Sequence, residues 1–148
     1  VREHIRKLSK DSYQTLYGLN TIDAVLMFIP IEPAYIGLYS KGHKIVQEAF
    51  EKINNGWKPF VLDVRRDNEF KQAHLEIVNH QVPHDEVLSA LELLPEEGDV
   101  LVHCLAGMRS KVAIMFLIQA GFDSNRLYNL EGGISDWAAS YPQGIIHG

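Results

Sequence analysis

The chain reads as an α/β protein: a mostly parallel sheet flanked by helices on both faces, preceded by an N-terminal helix–strand extension. Two observations predict this. Short apolar runs rich in β-branched residues alternate with segments of helical spacing, and Gly, Pro or Asn punctuates each change of period. The 148 residues are 46% hydrophobic and 22% charged, the balance of a soluble globular domain of ordinary size.

In chain order, residues 3–15 read as a short helix with Ile5 and Leu8 on one side, and residues 24–29 as a strand stopped by Pro30 and Pro33. Helical spacing returns at Ile45, Val46, Ala49, Phe50 and Ile53 and stops at Asn54-Asn55-Gly56. Residues 59–64 are a buried strand, and Asp67 is placed to cap a short helix that runs through Gln72. Residues 85–94 form a helix closed by Pro95, then come a strand over 100–103 and a helix over 110–120 that stops at Gly121. A short strand over 127–130 and a last helix carrying Ile134, Trp137 and Ala138 complete the pattern, with Ile134 and Trp137 in the core.

Charge and cysteine usage narrow the classes. A formal net charge of −5 argues against a broad nucleic-acid-binding surface. The longest apolar run, residues 24–31, is too short to span a membrane, and the charged start Val1-Arg2-Glu3-His4 is unlike a signal peptide. A single cysteine forms no internal disulfide and fits a reducing, cytoplasmic setting. His74, His80 and His84 match no strong ligand spacing, and no second cysteine supports them, so neither metal nor cofactor is expected.

That cysteine, Cys104, opens the run Cys104-Leu105-Ala106-Gly107-Met108-Arg109-Ser110 between the strand Val100–His103 and the following helix. In parallel sheets, ligands bind beyond the carboxyl ends of the strands, and Cys104 falls at such an end. Unpaired backbone N–H groups at a helix start favour a sulfur anion, and Arg109 adds a full positive charge. Lone cysteines are commonly buried and inert. Here the small Ala106-Gly107 pair, the cation and the helix start favour a reactive thiol instead. His103 directly precedes Cys104, so strand alternation turns it to the opposite face and away from a role as general base.

These residues resemble the rhodanese domain. Leu62-Asp63-Val64-Arg65, with Glu69-Phe70 and His74-Leu75 after it, is similar to that family's first signature. Cys104-x-x-Gly107-x-Arg109-Ser110 is similar to its active-site loop, and Leu130-Glu131-Gly132-Gly133-Ile134 with Trp137 to its C-terminal signature. Together they span about residues 43–140, which divides the chain into an extension over 1–42 and a rhodanese-like domain over 43–148. Gly-Met-Arg-Ser after the cysteine is similar to rhodanese domains fused to sulfur-carrier-activating enzymes. The segment Ala73-His74-Leu75-Glu76-Ile77-Val78-Asn79 departs from the family's Gly-His-Ile-Pro-Gly-Ala run and changes the spacing to Pro83.

The resemblance implies a sulfurtransferase of the thiosulfate:cyanide type. Cys104 would take sulfane sulfur from thiosulfate or a persulfide and pass it to cyanide or a thiol, with a sulfur-carrier protein as a candidate partner. Arg109 would steady the donor, and the loop residues Leu105, Ala106, Gly107, Met108 and Ser110 would surround the outer sulfur. Neutral Leu105 and Ala106 make the loop less cationic than in some relatives, which favours a persulfide donor over thiosulfate. Asp63 and Arg65 would support the loop structurally, Glu69 would pair with Arg65 or Arg66, and His74 would be a structural hydrogen-bonding residue. Phosphatases on a related fold carry Cys-x5-Arg, whereas only four residues separate Cys104 from Arg109. The alternative class is a non-catalytic rhodanese-like module that binds partners or senses redox state.

The first forty residues resemble something else. His4-Ile5-Arg6-Lys7-Leu8-Ser9-Lys10, Tyr13, Leu19 and Val25-Leu26-Met27-Phe28-Ile29-Pro30-Ile31-Glu32-Pro33 are similar to a fragment of RmuC-type DNA-recombination proteins. So short a piece implies no DNA chemistry. It is expected to pack on the body or to mediate a homodimer, because an apolar strand needs a pairing partner.

Overall fold

A computed structural model describes residues 42–148. The expected helix over 3–15 and strand over 24–29 lie outside the described residues.

The first described element is α1 (Gly42–Asn54), followed by β1 (Phe60–Asp63), α2 (Asp67–Gln72), β2 (Ala73–Leu75) and β3 (His80–Gln81). A 3-10 segment (His84–Leu93) leads to β4 (Val100–His103), α3 (Met108–Gln119), β5 (Leu127–Asn129), α4 (Gly133–Ser140) and β6 (Ile145–His147). Four strands form a parallel sheet in the order β3-β1-β4-β5. In addition β2 and β6 pair antiparallel, with Leu75 opposite Ile145 and Ala73 opposite His147. The expected parallel α/β architecture is present.

Side-chain alternation along the strands divides the core into two layers. Leu62, Val100 and Val102 pack with Val87, Ala90 and Leu91 of the 3-10 segment and with Ala113, Ile114 and Leu117 of α3. Val61 and Leu101 face the other way, against Val46 and Ala49 of α1 and Ile134 and Trp137 of α4. Phe50 stacks on Tyr141 at 3.7 Å between centroids and meets Trp137 edge-on at 5.7 Å. Both central strands are thus covered on both sides, as parallel sheets require.

Four local expectations are corrected. Residues 84–93 form a 3-10 segment with a kink at Glu86 (φ −119°, ψ 15°) instead of an α-helix over 85–94. There the Ser89 hydroxyl donates to the Glu86 carbonyl at 2.7 Å, a side-chain bond that competes with regular helical pairing. Asp67 is the first residue of α2, and Arg66 occupies the cap. Glu69 closes that end by accepting the Arg66 backbone N–H at 3.0 Å, while Asp67 pairs with Lys71 at 3.1 Å. α3 starts at Met108, two residues earlier than the spacing predicted. The short strands β2, β3 and β6 were not expected, because two or three residues hold too little periodicity to be read.

The segment that departs from the resemblance has its own solution. Asn79 donates its N–H to the Val61 carbonyl at 2.8 Å and accepts the Val61 N–H on Oδ1 at 2.8 Å. One residue, through its backbone N–H and its side-chain oxygen, therefore satisfies both main-chain groups of Val61 at the sheet's β3 side.

Candidate active site

Cys104 immediately follows β4, and the Val64 N–H continues the ladder onto the His103 carbonyl at 2.9 Å. The chain then turns through Leu105 and Ala106 to Gly107, whose φ of +106° puts it in the left-handed region that favours glycine. This turn folds the backbone back over the thiol. The Gly107 N–H donates to Sγ at 3.1 Å, and the Ser110 hydroxyl lies 3.4 Å from Sγ. Ser110 donates to Asn129 Oδ1 at 2.5 Å, so its oxygen is free to accept from the thiol. Asn129 Nδ2 reaches the Gly107 carbonyl at 3.4 Å and closes a ring of polar contacts around the sulfur.

A second wall comes from the start of α4. Ile134 and Ser135 donate their N–H groups to the carbonyls of Cys104 and Leu105, both at 3.0 Å. The orphan donors of one helix start thus hold the loop carbonyls on its side. Gly133, at φ +57°, sits so close that a Cβ there would overlap the Cys104 and Leu105 carbonyls. Sequence reasoning placed Gly133 in a family signature and did not single out Asn129. The sequence signal was position: Asn129 is the polar residue that ends the short strand β5, and Gly133 lies in the glycine pair that follows it.

The expected site residues divide into those at the sulfur and those beside it. Cys104, Gly107 and Ser110 come together, all buried, while Leu105, Ala106 and Met108 are exposed on the outer face of the turn. Among the loop amides, Gly107 supplies the hydrogen bond to Sγ. Arg109 is held by a carboxylate: its two terminal nitrogens bond to Glu69 at 2.7 and 2.9 Å. Glu69, expected to pair with Arg65 or Arg66, thus takes Arg109 as its ion-pair partner and bonds Arg66 through that residue's backbone N–H. The Arg109 bond holds the Glu69 carboxyl at about 2, well below its ordinary 4.5, and the same bond raises Arg109.

Asp63 and Arg65 form a buried pair one strand away, with Arg65 Nη2 2.7 Å from Asp63 Oδ2 and 2.8 Å from the Ala73 carbonyl. Gln81 Nε2 donates to the Arg65 carbonyl at 2.8 Å, so this pair ties the ends of β1 and β3 to the start of β2. These contacts join segments that lie beside the loop. His103 is fully buried, with Nε2 3.7 Å from Asp63 Oδ2 and Nδ1 3.4 Å from the Cys104 carbonyl oxygen. Burial lowers its pKa and favours the neutral ring. His74 stacks on Phe70 at 4.2 Å and places Nδ1 3.1 Å from the Phe70 carbonyl oxygen, a structural role. Among the described residues, no three His, Cys, Asp or Glu side chains gather as cation ligands. No helix among them is long and apolar enough to cross a membrane.

The sequence model of the Rhodanese-like domain family matches residues 46–140, and that of the RmuC family matches residues 1–54. The crystal structure of reduced Bacillus anthracis CoADR-RHD is similar at 30% identity and a TM-score of 0.57, over 68% of this chain and 17% of that one. A thiosulfate sulfurtransferase from Pseudomonas aeruginosa is similar at 28% identity and a TM-score of 0.54, over 73% of this chain and 20% of that one. The rhodanese-like domain of Anabaena sp. Alr3790 shares the fold, with 22% identity and a TM-score of 0.56 over 69% of this chain and 74% of that one. The N-terminal part is 47% identical over 51 residues to the DNA recombination protein RmuC of Escherichia coli K12, which is 34% of this chain and 11% of that protein. The chain thus spans about a tenth of the length of the curated relatives it matches. From residue 46 to 140, where the sheet, the cysteine loop and the start of α4 come together, the chain belongs to the Rhodanese-like domain family.

Proposed function

We propose that this domain is a sulfurtransferase that carries sulfane sulfur as a Cys104 persulfide. The observation that supports the reading is the placement of Sγ beneath the Gly107 N–H and beside Ser110, in a tight turn at the carboxyl end of a parallel strand. Loading breaks the donor's S–S bond. The Cys104 thiolate attacks the outer sulfur, a new S–S bond forms at Sγ, and the remainder leaves with the electron pair, as sulfite from thiosulfate or as a thiolate from a persulfide. Discharge reverses the sense: cyanide or an acceptor thiolate takes the outer sulfur and Cys104 leaves as thiolate. No net oxidation occurs in either half. The Gly107 N–H is aimed at sulfur, where the negative charge of the persulfide is carried.

Thiosulfate:cyanide transfer is the assay form of this activity, and a cellular thiol or a sulfur-carrier protein is the proposed acceptor. A reducing, cytoplasmic setting keeps the single thiol in its working state. The N-terminal segment is proposed as a packing or homodimerisation element, and the activity of the longer RmuC proteins is not assigned to it. One observation favours a second reading, a non-catalytic partner-binding or redox-sensing module: Cys104 is only 1% exposed.

Intact-protein mass spectrometry after brief exposure to thiosulfate, and separately to a thiol persulfide, tests the proposal. The expected result is a gain of about 32 Da that cyanide reverses and that Cys104→Ser lacks, since an alcohol carries no persulfide. Folded, reduced protein that gains no sulfur from either donor points to the binding module instead.

A further inference from the structure

The cations on the segments that leave β1 and β4 are each engaged with a carboxylate. Arg109 holds Glu69 through two bonds of 2.7 and 2.9 Å, and Lys111 Nζ lies 3.6 Å from Glu131 Oε2. Arg66 meets both oxygens of Asp85 at 3.0 and 3.2 Å, and Arg65 is paired with buried Asp63 at 2.7 Å. The charge that the cysteine loop carries in its own sequence is therefore neutralised where it stands. What the turn exposes is apolar: Leu105 is 48% and Met108 52% exposed, on either side of Ala106-Gly107.

Two donor classes meet such a surface differently. Thiosulfate arrives as a dianion and releases a second dianion, sulfite, so its loading profits from an uncommitted cation at the loop. An organic hydropersulfide, R–S–SH, carries at most one negative charge and releases a monoanionic thiolate. Its carbon substituent also gains from contact with exposed apolar side chains.

Resting on the sulfur-transfer reading above, we propose that the donor at this site is an organic hydropersulfide and that Glu69 sets this preference by neutralising Arg109. Loading then runs as Cys104–S⁻ + R–S–SH → Cys104–S–SH + R–S⁻. The donor S–S bond breaks, the outer sulfur keeps its proton, and the thiolate departs with the electron pair. Leu105 and Met108 supply the contact for R.

The test compares sulfur loading of Cys104 by intact mass, with thiosulfate and with benzyl hydropersulfide as probes, in wild type, Glu69→Gln and Leu105→Lys. Glu69→Gln releases Arg109 from its ion pair. Leu105→Lys adds a cation at an exposed position and serves as the independent variant if Glu69→Gln folds poorly. Each variant is expected to raise the thiosulfate-to-persulfide ratio of loading rates by about tenfold, with Leu105→Lys also slowing the benzyl donor. A wild type that loads from thiosulfate as fast as from the persulfide overturns the preference while leaving sulfur transfer intact. So does a ratio that folded variants leave unmoved. Absence of loading from both donors sinks the sulfur-transfer reading, and this inference with it.

Discussion

Gly133 lies against the carbonyl oxygen of Cys104 with no room for a Cβ between them. This contact lets the start of α4 close on the cysteine loop, so that Ile134 and Ser135 can bond the carbonyls of Cys104 and Leu105. A methyl group there pushes the helix start and the loop apart, and the φ of +57° adds strain for any L side chain. Gly133→Ala is expected to cost about 2 to 4 kcal/mol of stability and to lower sulfur loading more than tenfold. Urea unfolding and the mass assay read the two effects. A variant with native midpoint and rate shows that the loop does not depend on this approach.

Asn129 joins the cysteine loop to β5 through buried bonds to Ser110 and Gly107. Asn129→Ala strands the Ser110 hydroxyl without its acceptor, a loss of about 1 to 3 kcal/mol. Ser110→Ala removes the donor as well as the sulfur's neighbour. The double variant is expected to be less destabilised than the sum of the singles, because both act on one network. Strict additivity in denaturant titrations would falsify that coupling.

Glu69 gives a pH dependence with a defined window. Its folded pKa, about 2, lies below the ordinary 4.5, so the stabilisation is complete above 4.5 and is lost as pH falls from there toward 2. The stability difference between wild type and Glu69→Gln is therefore constant at neutral pH and narrows below 4.5. Chemical denaturation at pH 7, 5, 4 and 3 reads it, and a difference that grows in acid contradicts the assignment.

The buried imidazole of His103 acts in a higher range. Burial lowers its pKa from the ordinary 6.5, so the unfolded chain binds the proton first. Its contribution is complete above 6.5 and is lost as pH falls below that value. His84, lowered mainly by burial as well, adds in the same direction. His103→Asn is expected to flatten the stability profile between pH 6.5 and 5 by up to roughly 1.4 kcal/mol per pH unit. An unchanged slope in the variant means the ring is already charged in the fold.

Arg109→Ala leaves Glu69 without its bidentate partner at a half-buried position. A stability loss of about 1 to 2 kcal/mol is expected, between the values of exposed and buried pairs. Arg109→Lys recovers only part of this, because an ammonium lacks the planar fork. Equal stability of Arg109→Lys and wild type in thermal melts excludes a bidentate contribution.

The sequence by itself determined the strand–helix alternation, the end of β4 as the place of Cys104, and the tight turn that follows it. Those features depend on neighbours a few positions apart, through period, breakers and a glycine that turns the backbone. The tertiary structure decided what surrounds the thiol. Asn129 reaches Ser110 across 19 positions, and Glu69 reaches Arg109 across 40. β2 finds β6 only when Ala73 meets His147, a pairing of two strands too short to announce themselves. Local periodicity carries no record of such partners. Glu69, whose sequence neighbours suggest Arg65 or Arg66 as partners, becomes a counter-ion of the cysteine loop only when β1 and β4 lie side by side, because ion pairing depends on distance in space and not on spacing along the chain.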